Sequence, residues 1–217
     1  MTSAQTLSGT PATATGRIGR CDWSVVEEDL NAYGCAALPG LLRADECRAV
    51  AGLYDEGERF RSRVVMARHG FGKGEYQYFA YPLPRLVAEF RDALYPRLAA
   101  IANRWKAALG SEESFPSRHE EYVERCHRAG QTRPTPLLLK YGEGDYNCLH
   151  QDLYGEHVFP LQVAILLSRP ETDFTGGEFA LTEQRPRMQS RVEVVPLRQG
   201  DAVVFPVHHR QIGRAHV

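Results

Sequence analysis

The chain carries almost no net charge: 26 Lys and Arg stand against 27 Asp and Glu, leaving −1 at neutral pH over 217 residues. That balance removes the bulk attraction behind non-specific binding to nucleic acid or acidic lipid. Cysteines are few and unpaired in pattern. Cys21, Cys35, Cys47, Cys126 and Cys148 are scattered, odd in number and free of any CxxC spacing. They exclude a disulfide framework and a thiolate zinc site, and they fit a reducing cytoplasm. No run approaches the roughly 18 apolar residues of a membrane-spanning helix. Residues 1–20 lack the apolar centre of a secretory signal. Internal repeats and low-complexity linkers are missing after residue 20. What is present is 43% hydrophobic and 24% charged, a globular composition long enough to bury a core without cross-links.

One domain over 21–210 is expected behind a flexible Ser-, Thr-, Ala- and Gly-rich tail at 1–20. Helical support should occupy about 21–130. Residues 22–32 are weakly helical, Gly34 to Leu42 is a short apolar strand, and Asp45 is placed to cap a helix through Tyr54. Pro84 to Leu109 reads as a long helix interrupted at Pro96, with Leu86, Phe90, Leu94, Leu98, Ile101 and Trp105 at helical spacing. A short helix follows over 117–128. After Pro136 the texture changes to strand-like runs at 137–141, 158–167, 178–182, 191–196 and 201–207, separated by GEGD, TGGE and RQGD turns. Helices followed by clustered short strands give α+β with an all-β catalytic core at about 137–210. Between these halves, 59–81 runs from Arg59, Arg61, Arg63, Arg68, His69 and Lys73 into Tyr76, Tyr78, Phe79 and Tyr81. Such a segment can contact phosphates and stack bases, or simply form a strand with a solvated basic face.

The chemistry lies in His150 and Asp152. Residues two apart in an extended segment point to the same side, so both can face one metal. A facial triad of two His and one carboxylate needs one more histidine and leaves open positions on iron for a keto acid and O₂. The third ligand should come from a later strand, and His209, 59 residues past His150 at the end of DAVVFPV, supplies it. Its neighbour His208 is the alternative, since adjacent strand residues face opposite ways. The same alternation points Cys148 with His150 and Asp152. His157 follows closely enough to line the site. His69, His119 and His127 lack metal-ligand spacing.

Tyr141-x-x-Gly144-x-x-x-x-Leu149-His150-Gln151-Asp152 resembles the first metal motif of the 2-oxoglutarate/Fe(II) dioxygenases, including prolyl 4-hydroxylases and AlkB-type base-repair enzymes. Thr175, Gly176, Gly177 and Glu178 resemble the GGE hairpin of the prolyl hydroxylase branch. Gly200 to Phe205 resembles the strand leading to the distal histidine. The chain is also similar to a bacterial group described as predicted nucleic-acid oxygenases. The resemblance implies a double-stranded β-helix, or jelly roll, with helices packed on one sheet. It implies Fe(II) and 2-oxoglutarate as cofactors, O₂ as co-substrate, and succinate and CO₂ as products. Tyr141 is then placed to hydrogen-bond 2-oxoglutarate, or serves as a core tyrosine. The substrate is a modified nucleic-acid base or a protein side chain such as proline, in the cytoplasm and away from membranes, and oligomeric state is left open.

The resemblance also requires an Arg roughly ten residues past the distal histidine to pair with the far carboxylate of 2-oxoglutarate. Gln211 to Val217 does not provide it and shows no strand pattern. Those residues match, codon for codon, a common sequencing adapter read after a single C. They are therefore expected to be adapter-derived, with the final strands missing and 2-oxoglutarate bound weakly. Two other classes compete: a cupin-like metal enzyme, which wants His where Asp152 stands, and a non-catalytic β-helix binding module.

Overall fold

The computed structural model describes residues 13–152, 157–185, 187, 189–207 and 210–214. Amphipathic helices come first. α1 (Ala14–Gly19) and α2 (Trp23–Tyr33) start where Thr13 and Asp22 side chains accept from the first free N–H groups. α2 stops at Gly34, whose φ of 69° closes the helix in a left-handed turn. Residues 14–19 were expected in a tail; they are helical because Ala14 and Ile18 bury one face against the later long helix. β1 (Ala36–Leu38) then leads into α3 (Ala44–Gly52). Its cap is Arg43 rather than Asp45: Glu46 reaches back to accept from the Arg43 N–H, which leaves Asp45 inside the first turn. α4 (Arg85–Ala108) runs through Pro96 without ending, and α5 (His119–Arg128) follows.

The strands form three antiparallel sheets. β2 (Phe60–Val65), β3 (Glu75–Phe79) and β4 (Leu137–Lys140) pair in that order. β6 (Leu161–Ile165) and β9 (Ala202–Pro206) join the first strand in the order β1-β9-β6. β5 (Asn147–His150), β7 (Phe179–Arg185), β8 (Gln189–Val195) and β10 (Arg210–Arg214) pair in the order β5-β10-β7-β8.

β9 explains the layering. Its Ala202 and Val204 pack with Phe90, Leu94 and Leu98 of α4, while Val203 and Phe205 pack with Phe179, Leu181 and Val195 of the facing sheet. A strand buried on both faces reads as a continuous apolar run, as AVVFP does, and each Val so buried stabilises by about 1.5–3 kcal/mol. Helices therefore cover one sheet, whose other face closes on the four-stranded sheet. This is the double-stranded β-helix with helical support. β10 corrects the expectation that Gln211 to Val217 carries no strand, since residues 211–214 lie in it: its backbone fills the slot between β5 and β7, and a ladder is made by N–H and C=O groups whatever the side chains. Among the described residues no helix is long and apolar enough to cross a membrane.

Candidate active site

His150 is the last residue of β5, and Asp152 follows two residues on. Strand alternation sends Leu149 outward, 50% exposed, and turns Cys148 and His150 to the other face. His150 Nδ1 lies 2.9 Å from the Cys148 carbonyl oxygen. A carbonyl can only accept, so this contact assigns a proton to Nδ1. Nε2 faces Asp152 Oδ1 at 3.6 Å. The other carboxylate oxygen, Oδ2, accepts from Gln162 Nε2 at 2.9 Å. Gln162 sits on β6, in the opposite sheet, so this bond ties the His-x-Asp turn across the sandwich.

Burial works against ionisation of Asp152, yet its contacts with His150 and Gln162 outweigh it and hold the carboxyl below the ordinary carboxylate range. The His150 Nε2 and the ionised Asp152 carboxylate thus face the same small space. Their side chains are 36% and 29% exposed, so that space opens to solvent. This donor set fits a divalent iron, which takes imidazole and carboxylate ligands with open positions left over. Among the described residues no third His, Cys, Asp or Glu joins the pair. His209, and its alternative His208, lie outside the described residues. Arg210 begins β10, which lies alongside β5 with Ile212 opposite His150.

Tyr141 follows β4, half-buried, and its ring lies against Gly74; a Cβ there would stand 2.8 Å from Tyr141 Cδ1. His157 is held from the helical side: its N–H donates to Gln131 Oε1 at 2.8 Å, and its carbonyl accepts from Tyr122 and Gln131. His119 pairs with Asp92 on α4, 2.6 Å away. The basic-aromatic segment divides. Arg61 lies over the Tyr78 ring, 4.3 Å from its centroid, and Arg63 pairs with Glu75, so both serve the β2–β3 hairpin itself. Gln162 escaped sequence reasoning, although a lone polar residue inside the apolar run FPLQVAILL was a signal that could have found it.

Residues 74–216 match the family described as "Oxygenase, catalysing oxidative methylation of damaged DNA". An uncharacterised protein of Mycobacterium tuberculosis, found in two strains, is 54% identical over 134 residues, covering 62% of this chain and 58% of that protein. The chain thus spans little more than half the length of these relatives. A Pseudomonas putida prolyl-4-hydroxylase superposes with a TM-score of 0.54 at 14% identity, covering 90% of this chain and 91% of that one. An oxidoreductase of the 2OG-Fe(II) oxygenase family from Burkholderia pseudomallei gives 0.52 at 16% identity, covering 91% and 86%. Likeness at such identity is one of fold, and the fold is the helix-backed β-helix described above. The chain belongs to this oxygenase family.

Proposed function

We propose that this protein is an Fe(II)- and 2-oxoglutarate-dependent dioxygenase that hydroxylates or oxidatively demethylates a modified nucleic-acid base, with His150, Asp152 and His209 as iron ligands. The observation that carries the reading is the pair of side chains aimed at one space: His150 Nε2 and the Asp152 carboxylate, 3.6 Å apart. The nucleic-acid substrate rests on the description of the family. Iron, when bound, supplies activation of O₂ at the expense of 2-oxoglutarate, which leaves as succinate and CO₂. The Cys148 carbonyl, accepting from Nδ1, fixes the ring so that Nε2 is the nitrogen turned to the metal. Gln162 fixes the Asp152 carboxylate and leaves Oδ1 turned to His150. Tyr141 is proposed to donate its hydroxyl to 2-oxoglutarate. A protein substrate such as a prolyl side chain is the second reading, favoured by the resemblance of Thr175 to Glu178 to the GGE motif of prolyl hydroxylases.

The test is Fe(II)-dependent succinate formation in the wild type, His150→Ala and Asp152→Ala. Loss in both variants supports the pair; activity in both overturns it. Oxygen uptake that depends strictly on 2-oxoglutarate separates this reading from a cupin-like enzyme, and absence of any Fe(II) affinity favours a binding module.

A further inference from the structure

The β2–β3 hairpin ends in a tip, Met66–Gly74, that the site described above does not use. It reaches across to the His-x-Asp strand. Lys73 N–H donates to the Tyr146 carbonyl at 2.8 Å, and Cys148 N–H donates to the Phe71 carbonyl at 2.9 Å. Gly72 stands opposite Asn147 in an antiparallel bridge. Only glycine serves there: φ is +121° and a Cβ would meet the Tyr146 oxygen at 2.3 Å. The tip is therefore an added short strand on the edge of β5. Phe71 adjoins this bridge, its carbonyl accepting from the N–H of Cys148, two residues before His150.

Phe71 is 44% exposed, an unusual state for a large aromatic ring, and it stacks on His69 with centroids 5.3 Å apart and planes 23° apart. Arg68 and Lys73 flank the pair, both exposed, and among the described residues neither has an ion-pair partner. The arginines lower on the hairpin are engaged: Arg59 with Glu56, Arg63 with Glu75. An exposed aromatic stack bracketed by unengaged cations, fixed by backbone bonds next to a metal-binding strand, has the chemistry of a platform for an unpaired base with its phosphates.

We propose that the Met66–Gly74 tip binds single-stranded nucleic acid, stacking an unpaired base on Phe71 and His69 and holding adjacent phosphates with Arg68 and Lys73. This rests on the nucleic-acid reading of the site but is tested apart from turnover. The probe is a short fluorescein-labelled oligothymidylate, followed by anisotropy in the metal-free full chain. Phe71→Ala should weaken binding by about tenfold or more, and Phe71→Trp should restore it. The Arg68→Ala, Lys73→Ala double variant should lower the slope of log affinity against log salt by about 0.7 for each phosphate that is no longer neutralised. Arg85→Ala, which removes a charge from the start of α4, should leave the slope unchanged. Oligothymidylate binding that is identical in wild type and Phe71→Ala overturns the tip as the platform. No binding of oligothymidylate, or equal preference for duplex, overturns the single-stranded ligand. Neither result touches the oxygenase reading, which stands or falls on succinate formation.

Discussion

Gln162→Leu isolates what the cross-sheet bond does for the candidate metal site. The substitution keeps side-chain size but removes the Nε2 donor that stands 2.9 Å from Asp152 Oδ2. A hydrogen bond to a charged acceptor contributes about 1.5–3 kcal/mol, and partial exposure of Asp152 argues for the lower end. Without that donor the Asp152 carboxyl is held low by His150 alone, so protons compete with metal at higher pH than in the wild type. The carboxylate is also free to rotate away from His150, and divalent-metal affinity should fall about tenfold, as expected when an outer-shell partner is removed. Titration calorimetry with Mn(II), a redox-silent stand-in for Fe(II), reads this directly when repeated at several pH values. Asp152→Ala sets the scale for removing the ligand itself. Wild-type affinity in Gln162→Leu, alongside weakened binding in Asp152→Ala, would refute the positioning role.

Three further predictions concern stability. Gly200→Ala forces a Cβ to within 2.1 Å of the Leu42 carbonyl at a φ of +85°, and Leu42 is itself bonded to the Gly200 carbonyl. Strain plus the broken hydrogen bond should cost about 2–4 kcal/mol, seen as a urea midpoint lowered by about 1 M or more; an unchanged midpoint contradicts the turn geometry. Leu181, fully buried between the sheets, should cost about 2–5 kcal/mol when changed to Ala, and a destabilisation under about 1 kcal/mol would place it outside the core. His119 is held below its ordinary pKa by burial, with Asp92 opposing. Below about pH 6.5 the unfolded chain takes a proton that the folded chain resists, so stability falls as pH drops from there toward the folded pKa. His119→Asn should flatten that part of the urea-midpoint profile, and an unaltered slope would remove His119 as its cause.

The sequence made legible whatever depends on side-chain period and turn chemistry. α4 announces itself through Phe90, Leu94, Leu98 and Ile101, and β9 through an unbroken apolar run. His150 and Asp152 were legible because a two-residue spacing fixes their common side. Pairing made by the backbone was not. The docking of Phe71–Lys73 on β5 uses N–H and C=O groups, and Gly70, Gly72 and Gly74 were its only trace in sequence. β10 pairs for the same reason despite side chains that carry no pattern. α1 was hidden because Ala14 and Ile18 are too few to make a period, and their partner face on α4 is distant in sequence. Asp45 yields the cap to Arg43 because the reach of Glu46 back to the Arg43 N–H decides it. His209 remains an expectation from spacing and resemblance, since it falls outside the described residues.

The most direct test of the account is Fe(II)-dependent conversion of 2-oxoglutarate to succinate by the wild type, His150→Ala and Asp152→Ala, with O₂ uptake followed in parallel. The account predicts succinate and O₂ uptake that rise and fall together in the wild type and vanish in both variants. Succinate formed undiminished in both variants would contradict it.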